Sequence, residues 1–239
     1  MKVLQPLRSL TRSRRIRMPV DDVKRIIQKN GAQQWFTYIF EKRHRRWDVW
    51  KSGFWIDDHL SRDARILETG CGCGMNLIWL GQRGFTELYG YDCDPTAVAA
   101  GKDLGREAGL NLTLWQDDGL SPQHMPPEKF DAIIALNWIS LVEEFSLPDF
   151  LNHCSKHLMM EGVVVLDAID IEYNNVPNNE YLTSDWQKPI DQRSPSEYKK
   201  RYSREQIAAL AGNYGLQIEK RMTAKETIPK SVYVLRKSR

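Results

Sequence analysis

Residues 67–80 read LETGCGCGMNLIWL, a stretch that sets three glycines and two cysteines between two apolar segments. The segment 65–67, with Ile66 and Leu67, predicts a β-strand that leads into the turn, and Met75–Leu80 predict the start of a helix. A glycine-rich turn between a strand and a helix lets the backbone approach a nucleotide closely. The glycines that supply the special torsions of this turn are Gly70, Gly72 and Gly74.

An acidic residue follows the turn at the spacing that nucleotide sites use. Asp92 ends the next predicted strand, 22 positions after Gly70. A carboxylate at the end of this strand can bind ribose hydroxyls. Strand, turn, helix and terminal acid in this order predict a nucleotide-binding turn.

The two cysteines of the turn raise the alternative of a metal site. A tetrahedral thiolate site needs further ligands, and Cys93 is the sulfur that could approach Cys71 and Cys73. His153 and His157, four apart on a predicted helix, also permit a metal pair, but no carboxylate or third histidine accompanies them. We therefore expect no metal and interpret the two turn cysteines as small neutral fillers.

The sequence after Ser61 alternates predicted strands and helices. In chain order they are ARILETG, MNLIWLGQRG, ELYGYDCD, TAVAAGKDLGREAG, LTLWQDD, FDAIIALN, PDFLNHCSKHLMMEG and VVVLDAID. This alternation predicts a doubly wound α/β fold with a mostly parallel sheet and right-handed crossovers. A helix capped by Ser203 follows, and then LQIEKRM and SVYVLRK, which we expect to pair as antiparallel strands.

Charge divides the chain near residue 60. The net charge of the 239 residues is +3, but residues 1–60 carry 14 Lys/Arg against 6 Asp/Glu, so the remaining residues are net acidic. We expect a basic, aromatic-rich helical cap over residues 1–60 and an α/β domain over residues 61–239. Within 22–51, apolar residues recur with the period of a helix: Ile26, Ile27, Trp35, Phe36, Ile39, Phe40, Trp47 and Trp50.

The first 18 residues contain no acidic side chain, and their apolar residues fall on one helical face: Val3, Leu4, Leu7 and Leu10. Three interpretations stay open: a disordered basic tail, a weak contact of residues 1–17 with an anionic membrane surface, and an Arg- and Ser-rich transit peptide. No apolar run approaches the roughly 20 residues of a transmembrane helix. With four cysteines and no disulfide pattern, we expect a cytoplasmic protein, either free or peripheral at the inner face of the membrane.

Over about residues 61–239 the sequence resembles the class I methyltransferases that use S-adenosylmethionine. The motifs that carry the resemblance are ETGCGCG, YGYDCDPTAV, LWQDDG, FDAIIALNWISLV and LMMEGVVVLDA, in the family's order. A nicotinamide oxidoreductase is disfavoured, because its turn has the spacing GxGxxG. The resemblance implies a Rossmann-like fold and S-adenosylmethionine as the cofactor. The binding residues that it implies are Glu68, Gly70, Gly72 and Gly74 at the methionine part, Asp92 followed by Cys93 at the ribose, Asp118 or else Asp117 at the adenine amino group, and Asn137 and Trp138 beside the transferable methyl.

Methyl transfer requires an acceptor atom held about 3–3.5 Å from the methyl carbon, and an alcohol acceptor usually needs a base as well. Asp170 and Glu172, just beyond the fifth strand, are the candidate catalytic bases, with Tyr173 and Glu143 behind them. The irregular segment at about 172–201 is rich in Asn, Asp, Gln, Tyr and Trp, which suits a polyhydroxylated ligand. We expect this segment and the aromatic residues of 35–50 to enclose the acceptor, and we predict a sugar or glycan hydroxyl.

Other functions stay open beside this prediction. The motif NPPY or DPPY of nucleic-acid amino methyltransferases is replaced by ALNWIS, which makes a nucleic-acid acceptor less expected. A small-molecule amine or phenol remains an alternative, as does RNA guided by the basic N-terminal region. A non-catalytic, cofactor-binding partner subunit is the last alternative, and the intact glycines and Asp92 argue against it.

Overall fold

The computed structural model of the chain describes residues 13–224 and 226–238. In these residues a mixed sheet of eight strands carries helices on both faces. The strands are β1 (Ile66–Thr69), β2 (Leu88–Asp92), β3 (Leu112–Gln116), β4 (Phe130–Ala135), β5 (Leu158–Asp170), β6 (Arg201–Tyr202), β7 (Leu216–Thr223) and β8 (Lys230–Lys237). The helices are α1 (Val20–Lys29), α2 (Trp35–Lys42), α3 (Trp47–His59), α4 (Met75–Gly81), α5 (Pro95–Glu107), α6 (Leu147–His157) and α7 (Arg204–Gly212). The predicted doubly wound, Rossmann-like fold is confirmed.

The order of the strands creates a crevice at the centre of the sheet. It runs β3-β2-β1-β4-β5-β8-β7, with β6 paired to β5. Strands β1–β5 are parallel, whereas β8 is antiparallel to both β5 and β7, as predicted. Because the chain reverses its direction across the sheet between β1 and β4, the loops after these two strands diverge and leave space for a ligand. The glycine turn follows β1, and Asn137 follows β4.

The central strands are covered on both faces. Ile66 belongs to the core beneath α1, α3, α4 and α5, while its neighbour Leu67 belongs to the core beneath α6 and α7. Residues 163–166 alternate between the same two cores. An apolar run without polar alternation is therefore what a strand buried on both faces requires.

The helical stretch predicted within 22–51 is divided into three helices. Gly31, with a φ of +67°, follows the end of α1, and a short 3₁₀ turn, Arg43–Arg45, separates α2 from α3. Val23 and Ile56 are fully buried in the core that also contains Ile66. The N-terminal helices therefore share a hydrophobic core with the sheet instead of forming a separate unit.

The predicted apolar face of residues 3–10 lies outside the described residues. From Ser13 onward, the basic segment packs against the cap. Ile16 is buried, the guanidinium of Arg14 lies 3.8 Å from the centre of the Trp50 ring, and the carbonyl of Arg14 accepts a hydrogen bond of 3.0 Å from Arg43. Among the helices that the structure describes, none is long and apolar enough to cross a membrane.

The segment 172–201 is irregular, as predicted, and is held by its own polar side chains. It contains short 3₁₀ turns, and Arg201 donates to Asn174 and Asn179 while Arg193 donates to Asn178. These asparagines are therefore used within the segment. Near the C-terminal end of the segment, Glu197 and Tyr198 line a cavity that the cap also borders.

Candidate functional site

The glycine turn after β1 excludes side chains at two of its positions. Gly70 and Gly72 have φ angles of +62° and +52°, which L-residues with a side chain rarely adopt. A Cβ at Gly70 would lie 2.7 Å from the indole of Trp138, and a Cβ at Gly72 would lie 2.7 Å from the ring of Phe36. The turn therefore presents bare backbone to the space between α2 and the loop after β4.

Asp92 at the end of β2 joins the turn to the second strand. Its Oδ2 accepts a hydrogen bond of 2.7 Å from the amide of Gly72, and its Oδ1 accepts one of 3.0 Å from the amide of Asp94. A carboxylate has about four acceptor positions, so two hydrogen bonds leave capacity for hydroxyl donors. Asp92 thus orders the turn and still faces the ligand space.

Glu68, at the base of the turn, is buried with half of its carboxyl group unpaired. Its Oε1 accepts a 2.6 Å hydrogen bond from Asn76, whereas Oε2 has no hydrogen-bond partner among the described residues. Burial raises the pKa of Glu68 to about 8, and burial likewise lowers the pKa of the nearby Arg43 to about 9. An unpaired acidic oxygen and a buried guanidinium match the two charges of an amino-acid group.

These groups enclose a cavity of about 250 Å³, which we call the glycine-loop cavity. The residues predicted from the sequence that line it are Glu68, Gly70, Gly72, Asp92, Asn137 and Trp138. The helical cap contributes Phe36, Ile39, Arg43 and Arg46, which sequence reasoning did not name as cofactor ligands. Unpaired Glu68 Oε2, bare glycine backbone and Asp92 together fit the methionine and ribose parts of S-adenosylmethionine.

Four of the predicted cofactor residues do not line this cavity: Gly74, Cys93, Asp117 and Asp118. The carboxylate of Asp117 is engaged in its own loop, where it accepts from the amides of Gln123 and His124. Asp118 Oδ1 accepts from the amide of Leu120. Asp118 remains the candidate for the adenine amino group. Asp117 was the alternative, but its carboxylate closes its own loop.

Trp138 bridges the glycine turn and the loop that carries Asp118. Its ring lies 2.7 Å from the position of a Cβ on Gly70 and 3.2 Å from that on Gly119. The ring also packs edge-on against Phe145, with centroids 5.4 Å apart. Trp138 therefore lies beside the glycine turn.

A second cavity of about 330 Å³ adjoins the first, and we call it the ion-pair cavity. Its walls come from the cap, the loop after β4, β5, the end of segment 172–201 and the start of β8. The residues that line both cavities are Trp35, Arg46, Asn137 and Leu141. The cap and the irregular segment thus face each other across a cavity, as expected from the sequence.

A network of charged side chains occupies the wall of the ion-pair cavity. Lys230 Nζ lies 2.8 Å from Asp48 Oδ2 and forms a second ion pair with Asp167. Lys230 also donates 2.6 Å to Asn137 Oδ1, which accepts from Arg46 as well. Burial opposes the charge of Lys230, but attraction to Asp167 and Asp48 raises the pKa of Lys230. Burial opposes the charge of Asp48 too, yet Lys230 and Arg46 lower its pKa.

The residues proposed as bases from the sequence lie outside both cavities. Asp170 accepts from Ser231 Oγ at 2.8 Å and from Arg221 at 3.2 Å, and burial raises its pKa. Glu172 is exposed, as is Glu143, and Tyr173 is buried. None of the four lines the glycine-loop or the ion-pair cavity.

Strand alternation explains why the neighbouring acid Asp167 lies in the ion-pair cavity. Successive side chains of a strand point to opposite faces, so Asp167 and Ile169 share one face while Asp170 lies on the other. Both Asp167 and Ile169 line the ion-pair cavity, together with Lys230, the cross-strand partner of Ile169. Asp167 is part of the fifth motif, LMMEGVVVLDA, so its position was visible in the sequence, but its direction was not.

Of the cysteines and histidines considered as metal ligands, Cys71 and Cys73 line the glycine-loop cavity, whereas Cys93, His153 and His157 line neither cavity. Cys71, Cys73, Cys93 and Cys154 are free thiols. Burial raises the pKa of Cys71, and burial together with His157 lowers the pKa of His153 to about 4. Residues 13–224 and 226–238 contain no group of three metal-ligating side chains.

Comparison with known proteins identifies a methyltransferase domain in part of the chain. Residues 66–162 match the family model described as "Methyltransferase domain". A ribosomal protein L11 methyltransferase of Neisseria meningitidis is 32% identical over 81 residues, which are 34% of this chain and 26% of that protein. One from Paraburkholderia phymatum is 28% identical over 81 residues, 34% of this chain and 25% of that protein. The chain thus spans about a quarter of the length of these relatives.

Solved structures extend the similarity over most of the chain. The magnesium protoporphyrin IX methyltransferase from Synechocystis PCC 6803, with bound S-adenosylhomocysteine, has a TM-score of 0.63 at 16% identity, covering 91% of this chain and 94% of that one. A S-adenosylmethionine-dependent methyltransferase from Clostridium acetobutylicum has a TM-score of 0.63 at 19% identity, covering 85% and 98%. At these identities the likeness establishes the fold.

Proposed function

We propose that this chain, whose residues 66–162 match a methyltransferase-domain model, is a class I methyltransferase that transfers a methyl group from S-adenosylmethionine to a hydroxyl of a sugar or glycan. The observation that carries the proposal is that Asn137 and Trp35 line both cavities, so a ligand in one borders a ligand in the other. When bound, the cofactor supplies a methyl group already activated on a sulfonium. The chain has to bind the cofactor and the acceptor, orient them toward each other and exclude water.

The glycine-loop cavity offers a separate contact to each part of the cofactor. The unpaired Glu68 Oε2 would receive the amino group of the methionine part, and the buried Arg43 would stabilise its carboxylate. Asp92, with acceptor positions to spare, would bind the ribose hydroxyls. Phe36 covers Gly72 and shields this part of the turn from water.

The ion-pair cavity suits an acceptor with many hydroxyls. Trp35, Trp47 and Tyr198 provide aromatic surface for the apolar face of a sugar ring. Donors from Arg46 and acceptors from Asp48 lie in the same wall, so hydroxyls find both kinds of partner. Because Arg46, Asp48 and Lys230 are already paired with one another, a neutral acceptor leaves these charges compensated.

Asp167 is the carboxylate that we assign as the base. It is buried, lines the ion-pair cavity and is paired with Lys230, whose ammonium balances its charge. It also accepts a 2.8 Å hydrogen bond from the amide of Asn137, which connects it to the wall shared by the cavities. A hydroxyl becomes acidic as its oxygen is alkylated, so a carboxylate can take its proton.

The names of the similar proteins do not identify one class of acceptor, since one is named for a ribosomal protein and another for a porphyrin. The test is therefore direct. Calorimetry should first show binding of S-adenosylhomocysteine, and transfer of labelled methyl should then be measured to free sugars, glycans, phenols, amines, ribosomal protein and RNA. We expect labelled sugar or glycan. Label only in an amine, protein or RNA would refute the acceptor, and no cofactor binding would refute the activity.

A further inference from the structure

Asn137 holds an uncommon backbone conformation in the wall that separates the two cavities. Its φ is +68°, in the left-handed region that asparagine tolerates better than most residues. Its amide N donates 2.8 Å to Asp167 Oδ1, which stabilises this conformation. The side chain is thereby directed to the boundary where the transferred group would cross.

Two cations determine which end of the Asn137 carboxamide faces the boundary. Oδ1 accepts from both Arg46 and Lys230. Exchanging the oxygen and the NH₂ would place donors against two donors, so only this orientation is favourable. Within the described residues Nδ2 has no hydrogen-bond partner, and it is not among the enclosed, unsatisfied atoms. It is therefore an accessible N–H donor.

We propose that Asn137 determines specificity by favouring an oxygen nucleophile over an amine; this rests on the proposed methyl transfer. A hydroxyl oxygen has two lone pairs, one to accept from Asn137 Nδ2 and one to attack. As that oxygen forms its bond to the methyl carbon, the carbon–sulfur bond breaks and its electron pair remains on the sulfur. The hydroxyl proton passes to Asp167.

A neutral amine has a single lone pair, which the attack requires. If Asn137 Nδ2 donates a hydrogen bond to that lone pair, the amine cannot attack the methyl carbon. If the lone pair attacks instead, Asn137 Nδ2 has no acceptor on the amine. Arg46 and Lys230 already donate to Asn137 Oδ1, so an ammonium group at this boundary would face the Nδ2 donor and find no free acceptor on the carboxamide. The preference thus follows from the direction of one carboxamide.

A cofactor analogue tests this preference without an acceptor. Sinefungin carries an amine in place of the sulfonium methyl, whereas S-adenosylhomocysteine carries nothing there. Both dissociation constants are measured by calorimetry for the wild type, Asn137→Asp and Leu141→Ala. Asn137→Asp replaces the donor by an acceptor oxygen, and Leu141→Ala enlarges the same wall without changing its polarity.

We expect sinefungin to bind the wild type more weakly than S-adenosylhomocysteine. In Asn137→Asp the ratio of the two constants should shift toward sinefungin by about tenfold, as one charge-assisted hydrogen bond would produce. In Leu141→Ala the ratio should stay unchanged. Asn137→Gly, which tolerates the positive φ and lacks the donor, should shift the ratio in the same direction by less.

The outcomes separate the two proposals. If the wild type binds neither analogue, the proposed function fails. If it binds both but the ratio is the same in all four proteins, the methyltransferase proposal stands and the role of Asn137 is refuted. Thermal melting of each variant shows that the compared proteins are folded, and Asn137→Gly provides the comparison if Asn137→Asp is not.

Discussion

Lys230 Nζ lies 2.8 Å from Asp48 Oδ2, although 182 residues separate them. Asp48 is in the first turn of α3, and Lys230 begins β8. Their contact joins the helical cap to the far side of the sheet along the wall of the ion-pair cavity. Since Lys230 also holds Asp167 and Asn137, one ammonium group organises much of the proposed acceptor site.

Lys230→Met should destabilise the fold by about 3–5 kcal/mol, because it leaves buried carboxylates without their cation. Asp48→Asn in addition should recover part of the loss. Lys29→Met, which breaks an exposed pair with Asp103, should cost less than about 1 kcal/mol. Urea unfolding measures all four proteins. A cost for Lys230→Met as small as that for Lys29→Met would contradict a stabilising network.

The same variant should change how stability depends on pH. In the wild type the lowered pKa of Asp48 contributes stability that is present above the usual aspartate pKa and is lost as pH falls through the lower folded value. Without Lys230, burial raises the pKa of Asp48, so the variant should lose stability as pH rises instead. Unfolding at several pH values checks the sign of this slope.

Gly70→Ala should abolish cofactor binding, whereas Gly109→Ala should leave it unchanged. Both glycines have a positive φ, so both variants should lose about 1–2 kcal/mol of stability. Only at Gly70 would the new methyl meet Trp138, since Gly109 has no atom within 4 Å of its Cβ position. Calorimetry measures the affinity of each variant for S-adenosylhomocysteine. Equal losses of affinity in Gly70→Ala and Gly109→Ala would mean that backbone strain alone is responsible.

Binding of S-adenosylmethionine should release a proton from Glu68 below about pH 8. Burial raises the pKa of the empty site's carboxyl to about 8, and an ammonium group at Oε2 would favour its charged form. Calorimetry in buffers of different ionisation enthalpy counts the proton. Release should vanish in Glu68→Gln and decline above pH 8. Proton uptake by the wild type would exclude an ammonium at this carboxyl.

Asp167→Asn should reduce turnover of a hydroxyl acceptor by about 10²–10⁴ while cofactor affinity persists. Asp170→Asn removes the acid proposed from the sequence, which is bound to Ser231 and Arg221 instead of lining a cavity, and should leave turnover much less affected. Single-turnover methyl transfer and calorimetry compare the two variants. A larger loss in Asp170→Asn would restore that residue as the base.

The fold and part of the glycine-loop cavity follow from patterns within short stretches of the chain. Alternating strands and helices require a parallel sheet, and a glycine turn followed by an acid at the next strand end brings Gly70, Gly72 and Asp92 to one edge. These features depend on neighbours in sequence or on adjacent strands. Local periodicity and strand order are therefore enough to recognise them.

The acceptor side depends on contacts that no local pattern records. Asp48, Asn137 and Asp167 come from three separated parts of the chain and are brought together around Lys230, and Arg43 reaches the glycine turn from the cap. Asp167 lines the ion-pair cavity and Asp170 does not, because they lie on opposite faces of β5, and which of these faces borders the cavity depends on the pairing of β5 with β8. The positions of these side chains depend on how the cap packs and on the register of the last strands. Hydrophobic burial fixes the packing of the cap, and strand pairing fixes the register, and both involve residues far apart in the sequence.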